Sequence, residues 1–248
     1  MSAPLDLDVS RPPVVRMTMR AGVTRNRLDD ELVAGLTAGL RRAERTAGAG
    51  VFVLDAVGDT FCAGMSLGDL DRIDWRPRIT ALADLFDRLR ASPLVTVAVV
   101  DGATLGGGVG LAAACDHVIA GPGSRFRMTE VLLGLVPALV LPLVARRVGP
   151  HRAASLALSA TELTGRDAER LGLADRSTED PAEELRRFVV GLRRADRRAV
   201  RALKRYAHGG GTGSALRRED AWAVLEELLA DPGVHRRVAA FREQGLIP

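Results

Sequence analysis

Cysteine, aromatic side chains and lysine are all scarce in this sequence. The two cysteines, Cys62 and Cys115, are far apart and match no metal-ligand spacing, so we expect buried free thiols and no disulfide framework. Aromatic residues make up only 4% of the chain, which leaves few platforms for stacking bases despite a net charge of +4. We therefore predict that nucleic acid is not a partner.

The sequence also lacks a long apolar run. No stretch of about 18 apolar residues could span a bilayer, so we predict no membrane association. Residues 1–13 carry acids and prolines where a secretory signal needs an apolar core, and we expect a cytoplasmic protein. With 248 residues, of which 47% are hydrophobic, the chain can bury the core of one enzyme-sized domain.

Short β-rich segments alternate with helical patterns through the first half of the chain. Residues 14–19 alternate like a strand, and leucines then recur at helical spacing over residues 28–40. The order of strand, glycine-containing loop and helix is repeated over residues 51–90 and again over residues 94–114. This rhythm predicts a layered α/β fold, and the pattern after Glu130 becomes mainly helical.

Two glycine-containing turns, residues 61–67 and 102–110, each follow an apolar strand. Glycine permits close approach and positive φ, and a turn that opens a helix leaves main-chain N–H groups pointing outward, where they attract negative charge. A nucleotide phosphate site is disfavoured, because no Gly-Lys-Ser/Thr sequence is present and residues 106–108 are consecutive glycines. Either turn alone is a weak signal.

Together, the two turns resemble the crotonase superfamily, also called the enoyl-CoA hydratase/isomerase family. The resemblance covers nearly the whole chain. It implies an α/β spiral of ββα turns, the crotonase or ClpP-like fold, over residues 1–190. It also implies a C-terminal helical region, residues 191–248, that builds homotrimers, often paired as hexamers. Five landmarks carry it in order: residues 24–28, 61–65, 106–108, 115–116 and 130–137.

The resemblance implies an acyl thioester substrate and a role for three residues. The backbone N–H groups of Met65 and Gly107 are expected to form an oxyanion hole, and Glu130 is expected to be the general acid/base. The apolar stretch 131–136 is expected to exclude water from Glu130 and to raise its pKa. Lys204 and Tyr206 in the C-terminal helices are further candidates. The other residues expected to contact the thioester are Arg25, Arg27, Ala63, Gly64, Leu67, Gly106, Gly108, Gly110 and Leu135.

One departure from the family pattern concerns the reaction. Hydratases of fatty-acid oxidation carry a second glutamate where this chain has Gly110, so ordinary hydration is in doubt. Residues 134–142 and 241–248 resemble the dehydratases of polyketide β-branching. That likeness implies a lyase that dehydrates 3-hydroxy-3-methylglutaryl on an acyl carrier protein to the 3-methylglutaconyl thioester. It implies no metal and no redox cofactor, because the oxyanion hole and one carboxylate perform the whole reaction. The substrate is expected on the phosphopantetheine of an acyl carrier protein or of CoA.

Other functions stay open at this stage. A Δ3,Δ2-enoyl-CoA isomerase also needs an oxyanion hole and one carboxylate that moves a proton. A general enoyl-CoA hydratase and a catalytically silent trimeric binding scaffold are the remaining alternatives. The choice between CoA and an acyl carrier protein, and between trimer and hexamer, is likewise open.

Overall fold

A computed structural model describes residues 4–20, 22–65 and 74–208, together with positions 232, 233, 236, 240 and 243. It divides into two compact units, Met1–Arg194 and Ala195–Pro248. The predicted boundary after residue 190 stays a prediction. Within the described parts of the chain, no helix is both long and apolar enough to cross a membrane.

The described residues of the first unit form two β-sheets. Strands of the larger sheet are β1 (Leu5–Arg11), β2 (Val14–Met19), β3 (Val51–Ala56), β5 (Val95–Val100), β7 (His117–Ala120) and β10 (Arg176–Ser177). Those of the smaller sheet are β4 (Thr60–Cys62), β6 (Ala103–Leu105), β8 (Arg125–Arg127) and β9 (Leu163–Thr164). Their spatial orders are β1-β2-β3-β5-β7-β10 and β4-β6-β8-β9. Only the outer pairs β1–β2 and β8–β9 are antiparallel among these neighbours.

Helices follow the strands in a regular order. The helices are α1 (Asp30–Arg45), α2 (Trp75–Ala91), α3 (Gly107–Ala113), α4 (Leu141–Val148), α5 (Pro150–Ser159), α6 (Gly165–Leu171), α7 (Pro181–Leu192) and, in the second unit, α8 (Arg197–His208). The chain places one strand in each sheet and then forms a helix, as in β3-β4-α2 and β5-β6-α3. This repeat is the predicted α/β spiral of ββα turns.

Helix α1 shows why these segments fold as they do. The Asp29 side chain accepts a hydrogen bond from the Leu32 N–H at 2.9 Å and so caps the first turn. A Cβ on Gly39 would lie 1.7 Å from Cε of Met17, so glycine lets the helix approach β2 closely. Burial of each leucine on this face stabilises the fold by about 1.5–3 kcal/mol. The buried leucines of α1 are Leu32, Leu36 and Leu40.

Parallel pairing in the smaller sheet brings three chain segments together. β4 pairs with β6, and β6 pairs with β8, all running in the same direction. Parallel strands end at the same edge of a sheet, where loops from several strands can build one site. Residues 63–65, 106–107 and 128–130 follow these three strands and therefore meet at that edge.

Candidate active site

The two glycine turns lie against each other. A Cβ on Gly64 would lie 2.7 Å from the carbonyl oxygen of Leu105 and 3.3 Å from the amide nitrogen of Gly107. Gly64 also has a φ of +77°, which other residues rarely adopt. Glycine is therefore required here both for its conformation and for the close approach of the second turn.

Two main-chain N–H groups at this contact have no acceptor among the described residues. They belong to Met65, which follows Gly64, and to Gly107, which is the first residue of α3. The first N–H groups of a helix have no partner within it and lie at the positive end of its dipole. Two neighbouring donors of this kind can bind one oxygen atom that gains negative charge.

Glu130 lies beside these donors because β8 is paired with β6. The Gly106 N–H donates to the Arg127 carbonyl at 2.9 Å, which joins the second turn to the end of β8. Glu130 then begins a single 3₁₀ turn, Glu130–Leu133, rather than a longer helix. A Cβ on Gly106 would lie 3.1 Å from Oε1 of Glu130, and Gly106 itself has a φ of +47°. The carboxyl group therefore lies over the backbone of the second turn.

Burial raises the pKa of the Glu130 carboxyl above its ordinary value of 4.5, although backbone hydrogen bonds at Glu130 and Thr129 act in the opposite direction. Its Oε2 atom is buried and has no hydrogen-bond partner among the residues that the structure describes. A carboxylate with an unsatisfied, desolvated oxygen binds a proton more readily than one in water. The direction of the shift suits a group that accepts and returns a proton near neutral pH.

The apolar stretch after Glu130 does not act as expected. Its exposed fractions are 60% for Leu132, 60% for Leu133, 41% for Leu135 and 72% for Val136. The expectation that these side chains exclude water from Glu130 is therefore wrong in the isolated chain. The apolar character of this stretch predicted burial. The 3₁₀ helix has only one turn, however, and does not continue far enough to direct these side chains into the core.

Gly108 and Gly110 are packed on the sides where side chains would project. A Cβ on Gly108 would lie 2.5 Å from the Cys62 carbonyl oxygen and 3.1 Å from its Sγ. A Cβ on Gly110 would lie 3.0 Å from Phe86 and 3.1 Å from Val140. A carboxylate side chain at residue 110 would therefore need these apolar neighbours to move. Phe86 and Val140 did not stand out in the sequence, where each belongs only to a pattern of core residues.

Cys62 lies beneath the same turns and is fully buried. Desolvation raises the pKa of its thiol to about 12, although a backbone hydrogen bond from Gly64 acts in the opposite direction. Both Cys62 and Cys115 are free and buried, as the sequence predicted.

Arg25 and Arg27 precede α1 and have exposed side chains. The Arg25 carbonyl accepts a hydrogen bond from Ala63 at 3.0 Å, and its Nε donates to Oγ1 of Thr60 at 3.3 Å. Arg25 thus contacts the first glycine turn. Contact of either arginine with a substrate stays a prediction.

Four predicted residues remain. Leu67 lies outside the described residues, and Leu135 follows the 3₁₀ turn. Lys204 is buried and Tyr206 is partly buried in α8 of the second unit. Their role in binding substrate stays a prediction.

Comparison with known proteins identifies the family of this chain. A model of the family described as Enoyl-CoA hydratase/isomerase matches residues 11–224. The chain belongs to this family. The predicted hydratase/dehydratase-type lyase is thus confirmed at the level of the family.

Several relatives and solved structures match most of the chain. Bacillaene synthase dehydratase PksH from Bacillus subtilis (strain 168) is 27% identical over 240 residues, covering 95% of this chain and 92% of PksH. Probable enoyl-CoA hydratase EchA14 from Mycobacterium tuberculosis is 33% identical over 195 residues, covering 77% of this chain and 76% of that protein. The structure of Pseudomonas aeruginosa AtuE matches with a TM-score of 0.87 and 30% identity, covering 97% of each chain. An enoyl-CoA hydratase from Mycobacterium smegmatis supports the fold alone, with a TM-score of 0.90 and 24% identity over 98% of this chain and 97% of its own.

We predict that Gly110→Ala destabilises the protein by about 1–3 kcal/mol, because the added methyl group overpacks Phe86 and Val140. Gly191→Ala in α7 is the matched control, since nothing lies within 4 Å of its Cβ position. That control should stabilise the protein by about 0.5–1 kcal/mol through helix propensity. Urea unfolding of the two variants provides the comparison. Equal effects of the two substitutions would contradict the packing described for Gly110.

We also predict that the pH dependence of turnover reports Glu130. Because its pKa is raised above 4.5, kcat/KM should fall on the acid side at a pH above 4.5, where the base becomes protonated. Glu130→Gln should remove this limb and lower turnover by at least about a hundredfold. Near-wild-type turnover of a folded Glu130→Gln variant would rule out the assignment.

The same raised pKa has a consequence for stability. The folded state binds the proton of Glu130 more tightly than the unfolded state, so ionisation destabilises the fold as pH rises from the unfolded to the folded pKa. Glu130→Gln should therefore melt at a higher temperature than wild type above the folded pKa. Below the unfolded pKa this difference should vanish, which melting curves across pH can test.

Proposed function

We propose that this enzyme dehydrates a 3-hydroxy-3-methylglutaryl-type acyl group on an acyl carrier protein and leaves the 3-methylglutaconyl thioester. The observation that carries the proposal is one desolvated carboxylate, Glu130, beside two main-chain donors, with Gly110 enclosed by apolar side chains. These donors, the N–H groups of Met65 and Gly107, have no acceptor among the described residues. At residue 110 the chain therefore has no second carboxylate to bind and activate a water molecule. Similarity to the dehydratase PksH, at 27% identity over 95% of the chain, supports a dehydration.

In the proposed reaction, the thioester oxygen accepts hydrogen bonds from the N–H groups of Met65 and Gly107. Glu130 removes a proton from the carbon beside the carbonyl, and the electron pair of that C–H bond moves to the thioester oxygen. Two such donors meet charge that develops only in the transition state, and each contributes about 2.7–4 kcal/mol.

In the second step, the electron pair returns to form the carbon–carbon double bond. The C–O bond of the tertiary hydroxyl breaks, and the leaving oxygen takes the proton from Glu130. Water is released and Glu130 is again a carboxylate, so one residue is both base and acid. Oε2 of this carboxylate is buried, which favours transfer of the proton to the leaving oxygen over its loss to solvent.

The proposal includes the carrier and the assembly. The chemistry of these residues needs a thioester and no metal or redox cofactor, and the pantetheine arm is common to CoA and an acyl carrier protein. A net charge of +4 favours an acidic carrier protein, whose association should weaken as salt rises. The proposed assembly is a homotrimer or hexamer, as the family resemblance implies, and the proposed location is the cytoplasm. A Δ3,Δ2-enoyl-CoA isomerase or a general hydratase would use the same donors, so the substrate distinguishes among them.

The deciding assay compares four substrates: 3-hydroxy-3-methylglutaryl on an acyl carrier protein, its CoA ester, crotonyl-CoA and a 3-enoyl-CoA. Mass spectrometry and absorbance follow each reaction. We expect loss of water from the branched carrier-bound substrate to be fastest, with slower turnover of its CoA ester. Faster conversion of the 3-enoyl-CoA without a mass change would establish the isomerase instead. Fastest hydration of crotonyl-CoA would establish the hydratase, and no turnover of any substrate would favour a silent scaffold.

A further inference from the structure

Asn26 is a buried polar residue with no assigned role. Only 1% of its surface is exposed, and its Nδ2 donates to the Thr60 carbonyl at 3.0 Å and to the Phe61 carbonyl at 3.2 Å. Both carbonyls belong to β4, which has β6 as its single neighbour in the described sheet. A buried amide is tolerated only when its hydrogen bonds are made. Here the side chain satisfies carbonyls on the strand that leads directly into the first glycine turn.

The backbone around Asn26 has an unusual conformation. Arg25 and Asn26 have φ values of 54° and 51°, so two consecutive residues other than glycine are left-handed. Asparagine adopts this region more readily than most residues. The resulting loop brings the Arg25 carbonyl to the Ala63 N–H at 3.0 Å. Left-handed residues held by surrounding contacts are frequent at functional sites.

The same loop fixes the direction of the Met65 donor. The Leu28 N–H donates to the Gly64 carbonyl at 2.9 Å. That carbonyl and the Met65 N–H belong to one planar peptide group, in which they point in opposite directions. Fixing the oxygen therefore fixes the hydrogen. Contacts from residues 25–28 thus reach residues 60, 61, 63 and 64, directly before the donor.

The second donor is held differently. The Gly107 N–H shares its peptide group with the Gly106 carbonyl, which accepts from Val109 at 2.9 Å and from Gly110 at 3.3 Å. Both contacts lie within the first turn of α3. The Gly107 donor is therefore oriented by its own helix, while the Met65 donor depends on a loop from a distant part of the sequence.

We propose that Asn26 is the positioning residue of the oxyanion hole, because its amide and its left-handed backbone orient the Met65 N–H toward the thioester oxygen. This inference rests on the proposed function. In the proposed reaction, Asn26 contacts no reacting atom. Loss of the amide should leave one donor in place and misdirect the other.

The test compares Asn26→Gly, which keeps the left-handed backbone and removes the amide, with the control Ser124→Ala. Ser124 is also buried, and its hydroxyl contacts the carbonyls of Val100 and Gly121, each at 2.8 Å, outside the oxyanion hole. Infrared difference spectra of bound crotonyl-CoA, labelled with ¹³C at the carbonyl, report polarisation by the two donors. Kinetics with 3-hydroxy-3-methylglutaryl on an acyl carrier protein are measured alongside.

When crotonyl-CoA binds to wild type or to Ser124→Ala, its carbonyl band should shift to lower frequency. This shift is expected even if Ser124→Ala melts at a lower temperature. Asn26→Gly should return the band part of the way toward that of free crotonyl-CoA. Its kcat should fall by about tenfold to a hundredfold, less than the 10²–10³ that follows removal of a donor outright, with little change in KM.

If Asn26→Gly does not fold, Asn26→Asp provides the second variant, because it keeps the size and the left-handed preference but loses both N–H donors. This inference alone would be overturned by a folded Asn26 variant that shifts the carbonyl band as far as wild type does and has the wild-type kcat. Absence of any displacement in wild type would overturn the oxyanion hole, and with it both the proposed function and this inference.

Discussion

Parallel pairing of β4, β6 and β8 is the constraint on which the site depends. Each strand has only three residues, so its own hydrogen bonds stabilise little, but pairing brings three loops to one edge of the sheet. The first two loops supply main-chain donors and the third supplies Glu130. Contacts between neighbouring loops, such as Gly64 with Leu105 and Gly106 with Glu130, together with the positive φ of both glycines, then favour glycine at these positions.

Much of this arrangement could be predicted from the sequence, and the reasons differ between its parts. The glycine turns were identified because donors that approach a ligand closely require glycine, which leaves a visible mark at fixed positions. Glu130 and the roles of Met65 and Gly107 were predicted from the family resemblance instead. The segments 61–67 and 102–110 were interpreted as turns, whereas β4 extends into the first and β6 lies within the second. Three residues are too few to show an alternating pattern. Strand β1 was missed as well, although Leu5, Leu7 and Val9 alternate.

The partners of each site residue could not be found in this way. Phe86 and Val140 pack against Gly110 although the three residues are far apart in the sequence, and no local pattern predicts such a contact. Residues 131–136 were predicted to be buried around Glu130 because they are apolar, but most of their side chains are exposed. The direction of its pKa shift was nevertheless predicted correctly, since the carboxyl is desolvated at the glycine turn. Asn26 belonged to a recognised landmark, but its hydrogen bonds required the folded chain.

The burial of Cys62 has a consequence for acyl transfer. Donors that polarise a thioester carbonyl for proton removal would equally activate it toward a thiolate, which exchanges readily with thioesters. A thiol with a pKa of about 12 is almost entirely protonated at neutral pH, and its sulfur is inaccessible to a substrate. Under the proposed function, burial therefore keeps this nucleophile away from the activated carbonyl, and no acyl-enzyme forms. The proposed reaction would then leave the acyl chain on the carrier that delivered it.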